Sequence, residues 1–395
     1  MSPSRAWTWA GRVAGLLAAV VLVKSVVAII RYPGQYQYDL SAYYYGPLVM
    51  KLGGNPYDRT ALQKIAGSVV QWFVYPPITI HLFRPLSLVP YPVAYYAWLV
   101  LKLAALAALL GLWRRRFIGE QQFPAFTALC AFGFGSSLVR DLNAGNISIF
   151  EQLALWVGIA ALLDGRAMAF GLVVALVGQF KLLPLGLLVL LVLPRPRWQA
   201  LAGSAGVAGL LLGLNLVVYP GLTGEFLRSA TGIDQRGENN PASLAVVRDL
   251  IDTLTGFNTA HTFADEWSYL LFVICLAGAT LWGVLGRAHP EDRESDRLVI
   301  GFICTAFGLA VPRFKLYSYL LLLVPTWLLL AGTRSRVVLG LGVVALAASS
   351  NYVVDVLPPL GGYWPLLSAL VLWFLFLWEL RYRAEPPSSQ LGAVS

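Results

Sequence analysis

Residues 91–116 read YPVAYYAWLVLKLAALAALLGLWRRR, and this stretch decides the fold. The apolar run from about Pro92 to Leu112 is long enough to cross a lipid bilayer as one helix. Under the positive-inside rule, the arginines that close it, Arg114 to Arg116, mark its cytoplasmic end. The stretch therefore predicts a membrane span and also its direction.

Apolar runs closed by arginines recur along the rest of the chain. Of its 395 residues, 58% are hydrophobic and 12% are charged, whereas soluble domains carry about 25% charged residues. The runs are continuous, which argues against the alternating pattern of a transmembrane β-barrel. We expect an all-α integral membrane protein, a polytopic helical bundle of about 12 transmembrane helices. The formal charge of +9 then reflects cytoplasmic connectors and does not indicate nucleic-acid binding.

In a twelve-crossing topology with both termini in the cytoplasm, every connector that lies on the cytoplasmic side carries arginine. The expected spans are residues 7–30, 92–112, 124–139, 147–163, 167–180, 182–193, 200–218, 267–285, 298–311, 316–330, 337–348 and 364–380. Two long polar loops, residues 31–91 and 219–266, then lie outside. Residues 79–89 are expected to form an interfacial or re-entrant helix. Residues 1–383 are expected to form one domain, and 384–395 a disordered tail.

Three cations lie where the positive-inside rule does not expect them. Lys181 separates the apolar pieces 167–180 and 182–193, and Arg313 and Lys315 interrupt the pair 298–311 and 316–330. All three would lie at the outer face, where an anionic headgroup would account for them. Two alternatives remain open, namely snorkelling of Lys181 and a plain lipid-phosphate contact of the Arg313/Lys315 pair. Lys102, inside a span, is expected to be in an intrahelical pair or to snorkel.

Several polar and aromatic residues are candidates for sugar or phosphate contacts. The cluster at residues 140–146 (RDLNAGN) is either an external ion pair with a turn and helix cap or a ligand contact. Asn240, with Arg248 downstream, either contacts the ligand or belongs to an ordinary turn and helix start. The tyrosines either contact the sugar or form an aromatic belt at the membrane interface. The full candidate set is Arg140, Asp141, Asn143, Asn146, Asn240, Arg248, Tyr43 and Tyr75.

Asp39 is the candidate catalytic residue. It follows the first span, at the expected outer face. A hydroxyl is a poor nucleophile until a positioned carboxylate accepts its proton, and cations can stabilise a departing phosphate. The alternative is a solvated loop carboxylate. No metal is expected, because Asp39 has no second carboxylate at Asp-x-Asp spacing and no Cys/His ligand spacing occurs.

The order of these features resembles glycosyltransferase family 87 over roughly residues 30–330. The resemblance is carried by Asp39, residues 73–77 (FVYPP), the turn at 143–146, DGRA at 164–167, FKLLP at 180–184 and NNPASL at 239–244. It implies a membrane-embedded GT-C-type enzyme that uses polyprenyl-phosphate sugars, with Asp39 as general base and Lys181 contacting the donor phosphate. One departure is that related mannosyltransferases have histidines where this chain has Arg313-Phe314-Lys315.

The predicted function is inverting glycosyl transfer from a polyprenyl-phosphate-linked sugar to an extracytoplasmic glycan or glycolipid. Mannose is the first expectation for the sugar and arabinofuranose the second; Lys181, Arg313, Lys315 and Arg140 would hold the phosphate. We expect a monomer in the plasma membrane, with membrane lipid as a partner and without a cofactor. The alternatives are a lipid-linked-sugar flippase or transporter, which would not need an Asp base, and a non-catalytic scaffold.

Overall fold

A computed structural model of the chain describes residues 3–193, 195–232, 234–256, 263–287, 293–333, 335–347 and 362–382. The tail predicted for residues 384–395 lies outside the described residues. Within them the chain is helical, without a β-strand. The α-helices are α1 (Pro3–Arg31), α2 (Tyr38–Lys51), α3 (Arg59–Ala66), α4 (Thr79–Phe83), α5 (Tyr91–Trp113), α6 (Phe123–Ala144), α7 (Ser148–Leu163), α8 (Ala167–Val177), α9 (Trp198–Val218), α10 (Pro220–Gly232), α11 (Ser243–Thr255), α12 (Phe263–Leu285), α13 (Arg293–Ala310), α14 (Leu323–Gly332), α15 (Arg336–Ala347) and α16 (Trp364–Tyr382).

The helices confirm an all-α membrane protein. Each predicted span coincides with a helical segment, and among the described residues six helices (α1, α5, α6, α9, α12 and α16) are long and apolar enough to cross a membrane. Helices α1, α9 and α12 are largely exposed along their apolar windows, as lipid-facing helices are. More of α5 and α16 is buried, so these two lie closer to the core.

The first polar loop folds into short helices on one end of the bundle. Most of α2 is buried, including Leu40 and Tyr43. Helix α4 has 5 residues and is followed by a 3₁₀ turn, Arg84–Leu88. A transmembrane helix needs about 20 residues, so α4 is too short to cross a membrane by itself. The interfacial or re-entrant placement of residues 79–89 stays a prediction.

Two helix pairs enter the bundle and return to the end from which they came. Helix α8 is followed by a break at Lys181 and a 3₁₀ helix, Leu183–Leu191, and the residues that flank this pair, Gly165 and Arg197, line one cavity. The second pair consists of α13, the break at residues 312–315, a 3₁₀ helix over Leu316–Leu322 and α14. Both breaks lie near the first loop, because the rings of Phe180 and Phe83 are 6.2 Å apart and Lys315 lies in a pocket with Asp39.

Helix α6 is interrupted, whereas the sequence predicted a continuous span over residues 124–139. Residues Phe134, Gly135 and Ser136 have left-handed backbone angles, with φ of 50°, 65° and 61°. The flanking glycines lower the cost of leaving the helix, since glycine lacks the Cβ that disfavours this region. The Phe134 ring stacks on Tyr319 at 5.5 Å, which holds the interrupted turn against the core.

Small residues let α1 pack directly on α6. A Cβ at Gly15 would lie 2.7 Å from the carbonyl oxygen of Pro124, and a Cβ at Gly11 would lie 3.3 Å from the Cβ of Ala125. Close backbone approach at small residues is a common way for membrane helices to associate without a hydrophobic driving force. The contact aligns the two helices, so that the segment after α1 reaches the end of α6.

Candidate active site

The turn that ends α6 brings Asp39 into a pocket. The Gln37 N–H donates to the Asn143 carbonyl, at 2.6 Å, and Gln37 has a left-handed φ of 51°. Gly145 lies against this residue, because a Cβ on Gly145 would come within 2.7 Å of the Gln37 Cα. Trp98 donates its indole N–H to the Gly145 carbonyl. These contacts place Asp39, two residues after Gln37, beside Asn146.

Asp39 is a buried carboxylate with one direct amide donor. Its side chain is 9% exposed, and its Oδ2 accepts a hydrogen bond of 2.7 Å from Asn146 Nδ2. Burial raises the pKa of Asp39, while Lys315, the hydrogen bond from Asn146 and, more weakly, Lys102 and Lys181 lower it. Because burial is the larger effect, the carboxylate is more basic than one in water, which suits proton abstraction.

Lys102 is a component of this site for which the sequence indicated no function. It is 0% exposed, and its Nζ donates to Asp141 Oδ2 at 2.6 Å and to the carbonyls of Asp141 and Asn146. Lys102 belongs to α5 and Asp141 to α6, so the expected intrahelical pair or snorkelling was wrong. The ammonium holds the turn between α6 and α7, and with it the amide that contacts Asp39.

Arg313 and Lys315 line the same pocket as Asp39. Both are half-buried, and burial lowers the pKa of each. Arg313 donates to Gln235 Oε1 at 3.2 Å, and Lys315 Nζ lies 5.8 Å from the Tyr317 ring centroid. Among the described residues, neither cation has a carboxylate within ion-pair distance. Partly desolvated cations whose charge no carboxylate offsets favour an anionic ligand.

Lys181 lies beside the pocket rather than in its lining. Its Nζ donates to Glu151 Oε2 at 2.7 Å and to Ser148 Oγ at 2.9 Å, and it lies 3.5 Å from Asn146 Oδ1. It also lies 5.4 Å from the Tyr317 ring centroid. Lys181 is therefore already paired, and it holds Glu151 and the Asn146 amide in place.

Aromatic side chains also line the pocket. The Tyr43 and Tyr75 hydroxyls are 2.7 Å apart, and the Tyr43 ring stacks on Phe83 at 4.5 Å. Both tyrosines are almost fully buried. Such rings provide an apolar face and a hydroxyl edge, the combination that sugar binding uses.

The other predicted site residues lie outside the pocket lining. Arg140 pairs with Glu238 at the surface, and buried Asp141 pairs with Lys102, so the Arg140–Asp141 ion pair that the sequence allowed as an alternative is not formed. Asn143 contributes its carbonyl to Gln37, and Asn240 accepts the Phe314 N–H at 3.0 Å. Arg248 pairs with Asp234. The lining also includes residues that carry no recognisable motif: Gln71, Trp72, Gln235 and Tyr317.

The cavity between these side chains has a volume of about 30 Å³, the share of one water molecule in the liquid. A sugar therefore enters only if lining side chains move. The arrangement joins a basic carboxylate to two cations across a small space. It can accept a proton on one side and stabilise negative charge on the other.

Comparison with known proteins gives two matches. The model of a family described as "Glycosyltransferase family 87" matches residues 73–312, which is more than half of the chain. The chain is also 26% identical, over 345 residues, to the "Polyprenol-phosphate-mannose-dependent alpha-(1-2)-phosphatidylinositol pentamannoside mannosyltransferase" of Mycolicibacterium smegmatis. That match covers 84% of this chain and 80% of the relative. The family match ends just before Arg313 and begins after Asp39.

Proposed function

The chain belongs to glycosyltransferase family 87, and from this membership we propose that it transfers mannose from polyprenyl-phosphate mannose to a hydroxyl of an extracytoplasmic glycolipid. The observation that carries the proposal is that Asp39, Arg313 and Lys315 line one pocket. The relative's dependence on polyprenol-phosphate mannose supports this donor, and its phosphatidylinositol pentamannoside acceptor supports a glycolipid.

The proposed reaction is a single displacement. Asp39 accepts the proton of the acceptor hydroxyl as that oxygen forms a bond to the anomeric carbon. The bond between the anomeric carbon and the phosphate oxygen breaks, and polyprenyl phosphate leaves with the electron pair. Arg313 and Lys315 stabilise its charge. Attack opposite the leaving group inverts the anomeric configuration.

Asp39 suits this role better than the neighbouring carboxylates. Asp141 is fully buried against Lys102, and Glu151 is paired with Lys181. Among the described residues that line the pocket, Asp39 is the carboxylate. Asp39 therefore has access to a substrate hydroxyl, whereas the other two hold the scaffold. Lys181 and Arg140 stay predictions as phosphate contacts.

Transfer by the purified protein tests the proposal. The protein in liposomes is given radiolabelled polyprenyl-phosphate mannose, or the arabinofuranose donor, with a membrane glycolipid extract. We expect the wild type to transfer mannose and Asp39→Asn to do so at a rate lower by about 10²- to 10⁴-fold. Asp58→Asn alters an exposed carboxylate of the same loop and is the control, and its rate should be unchanged. A wild-type rate in Asp39→Asn would exclude Asp39 as the base. Movement of the donor across the bilayer without transfer would favour a flippase.

We propose further that the pocket faces the extracytoplasmic side, because the connectors at the opposite end are rich in arginine. Cysteine labelling measures this. Cys275 is exposed and must first be replaced by serine. Asp58→Cys should then react with an impermeant maleimide on intact cells, and Arg115→Cys only after permeabilisation. The reverse pattern would overturn the orientation.

A further inference from the structure

A second cavity lies at the end of the bundle opposite Asp39. It has a volume of about 550 Å³ and is lined in part by Arg116, Asp164, Arg195, Arg197 and Arg297. Helix α7 begins beside Asn146 and ends at this cavity. Its 16 residues span about 24 Å at 1.5 Å per residue. The cavity is therefore separate from the candidate active site.

The cavity carries an excess of positive charge. Four arginines line it against two aspartates, Asp164 and Asp296. Arg116 pairs with Asp164, and Arg195 with Asp296. Within the part of the chain that the structure describes, Arg197 and Arg297 have no carboxylate partner. The planar donor pattern of these two guanidinium groups fits phosphate.

A cavity of about 250 Å³, which has apolar side chains on its walls together with Gln122, adjoins the basic one. The two share Phe117 and Arg297, and the smaller cavity is also lined by Leu298, Trp327 and Leu328. The positive-inside rule accounts for arginines at this end. It does not account for their enclosing a cavity that continues into one with apolar side chains on its walls. A basic compartment joined to a partly apolar one matches a molecule with an anionic head and a hydrocarbon tail.

We propose that the two adjoining cavities bind an anionic phospholipid. Its phosphate lies among Arg195, Arg197 and Arg297, and an acyl chain packs against Trp327. Basic pockets between membrane helices are suited to such headgroups. The lipid connects the Arg114–Ile118 turn, α13 and α14, which line the two cavities.

Native mass spectrometry of the delipidated protein tests this proposal, with phosphatidylglycerol, chain-matched phosphatidylcholine and inorganic pyrophosphate as probes. We expect one tightly retained phosphatidylglycerol and weak binding of the other two. Arg197→Ala/Arg297→Ala should weaken phosphatidylglycerol binding about 30-fold, since each arginine near an anionic headgroup contributes about fivefold. Arg115→Ala, an exposed arginine outside the cavity lining, should leave it unchanged.

Two further variants test the proposal even if the double alanine variant is unstable. Arg197→Lys/Arg297→Lys keeps the charge and should retain most of the binding. Ala331→Trp fills the smaller cavity without replacing an arginine and should expel the lipid. Equal retention of phosphatidylcholine, an equal loss in Arg115→Ala, or binding of pyrophosphate in preference to lipid would each overturn the proposal. So would unchanged lipid binding in Ala331→Trp.

Discussion

Asp39 and Asn146 are 107 residues apart in the chain, yet Asn146 Nδ2 donates a 2.7 Å hydrogen bond to Asp39 Oδ2. Asn146 also accepts from Ser148 through its Oδ1, which fixes the orientation of the amide. The carboxylate therefore faces a donor that is already oriented. Two long-range contacts maintain this relationship, namely Lys102 with the α6–α7 turn and Gly145 with Gln37.

The pH dependence of transfer should report the environment of Asp39. The base acts only when ionised, so activity falls as the pH drops through its pKa. This fall in activity forms the acid limb of the pH profile. Because burial raises the pKa of Asp39, the acid limb should lie at higher pH than for an ordinary carboxyl group. Asn146→Ala removes a donor that favours the ionised form, so the limb should move higher still. The measurement is kcat/KM against pH. Asn143→Ala, on the same turn but without contact to the carboxylate, is the control, and an unmoved limb in Asn146→Ala would count against Asp39.

Lys315 should act on the donor phosphate. Lys315→Met removes a half-buried cation that has no carboxylate partner within the described residues. We expect kcat/KM for the donor to fall by about 10- to 100-fold, since charge-assisted hydrogen bonds contribute about 1.5–3 kcal/mol. Kinetics with varied donor measure this.

Two comparisons complete the Lys315 experiment. Lys315→Arg should recover part of the rate, and Arg84→Met, which removes an exposed cation of the segment between α4 and α5, should have no effect. Loss of Lys315 also raises the pKa of Asp39, so the acid limb should move upward in the same variant. Donor kinetics equal to wild type in Lys315→Met would refute the phosphate role.

Hydropathy and charge predicted the helical segments, because lipid-facing helices must be apolar along their length and connectors carry the arginines. The same reasoning identified the breaks at Lys181 and at Arg313–Lys315. It missed the interruption of α6, since Gly133-Phe134-Gly135 is also compatible with a continuous helix. It also missed the role of Lys102, because the local sequence around a lysine at membrane depth is the same whether the side chain snorkels or pairs with Asp141. Gln71 and Gln235 reach the pocket only through tertiary packing, which no local pattern records.

Lys102 should be needed for folding as much as for activity. Lys102→Met leaves the Asp141 carboxylate buried without its cation, and breaking a buried pair costs about 3–5 kcal/mol. Thermal unfolding in detergent should show a lower Tm and less transfer. Lys102→Met/Asp141→Leu removes both charges and should recover most of the Tm. Lys24→Met, at an exposed lysine of α1, is the matched control. If the double variant were no more stable than Lys102→Met, the pair would not be the cause.

Gly145 should be restricted to glycine by contact as well as by backbone angle. Its φ of 71° alone costs a residue with a Cβ about 1–2 kcal/mol. Gly53 has a φ of 79° and nothing within 4 Å of the position that a Cβ would occupy, so Gly53→Ala measures that cost by itself. Gly145→Ala adds a clash at 2.7 Å with the Gln37 Cα, which pushes away the segment that carries Asp39. We therefore expect Gly53→Ala to lower the Tm slightly and to retain transfer activity. Gly145→Ala should lose more transfer activity than its lower Tm explains. Equal behaviour of the two variants would show that the backbone angle, and not the contact with Gln37, restricts this position.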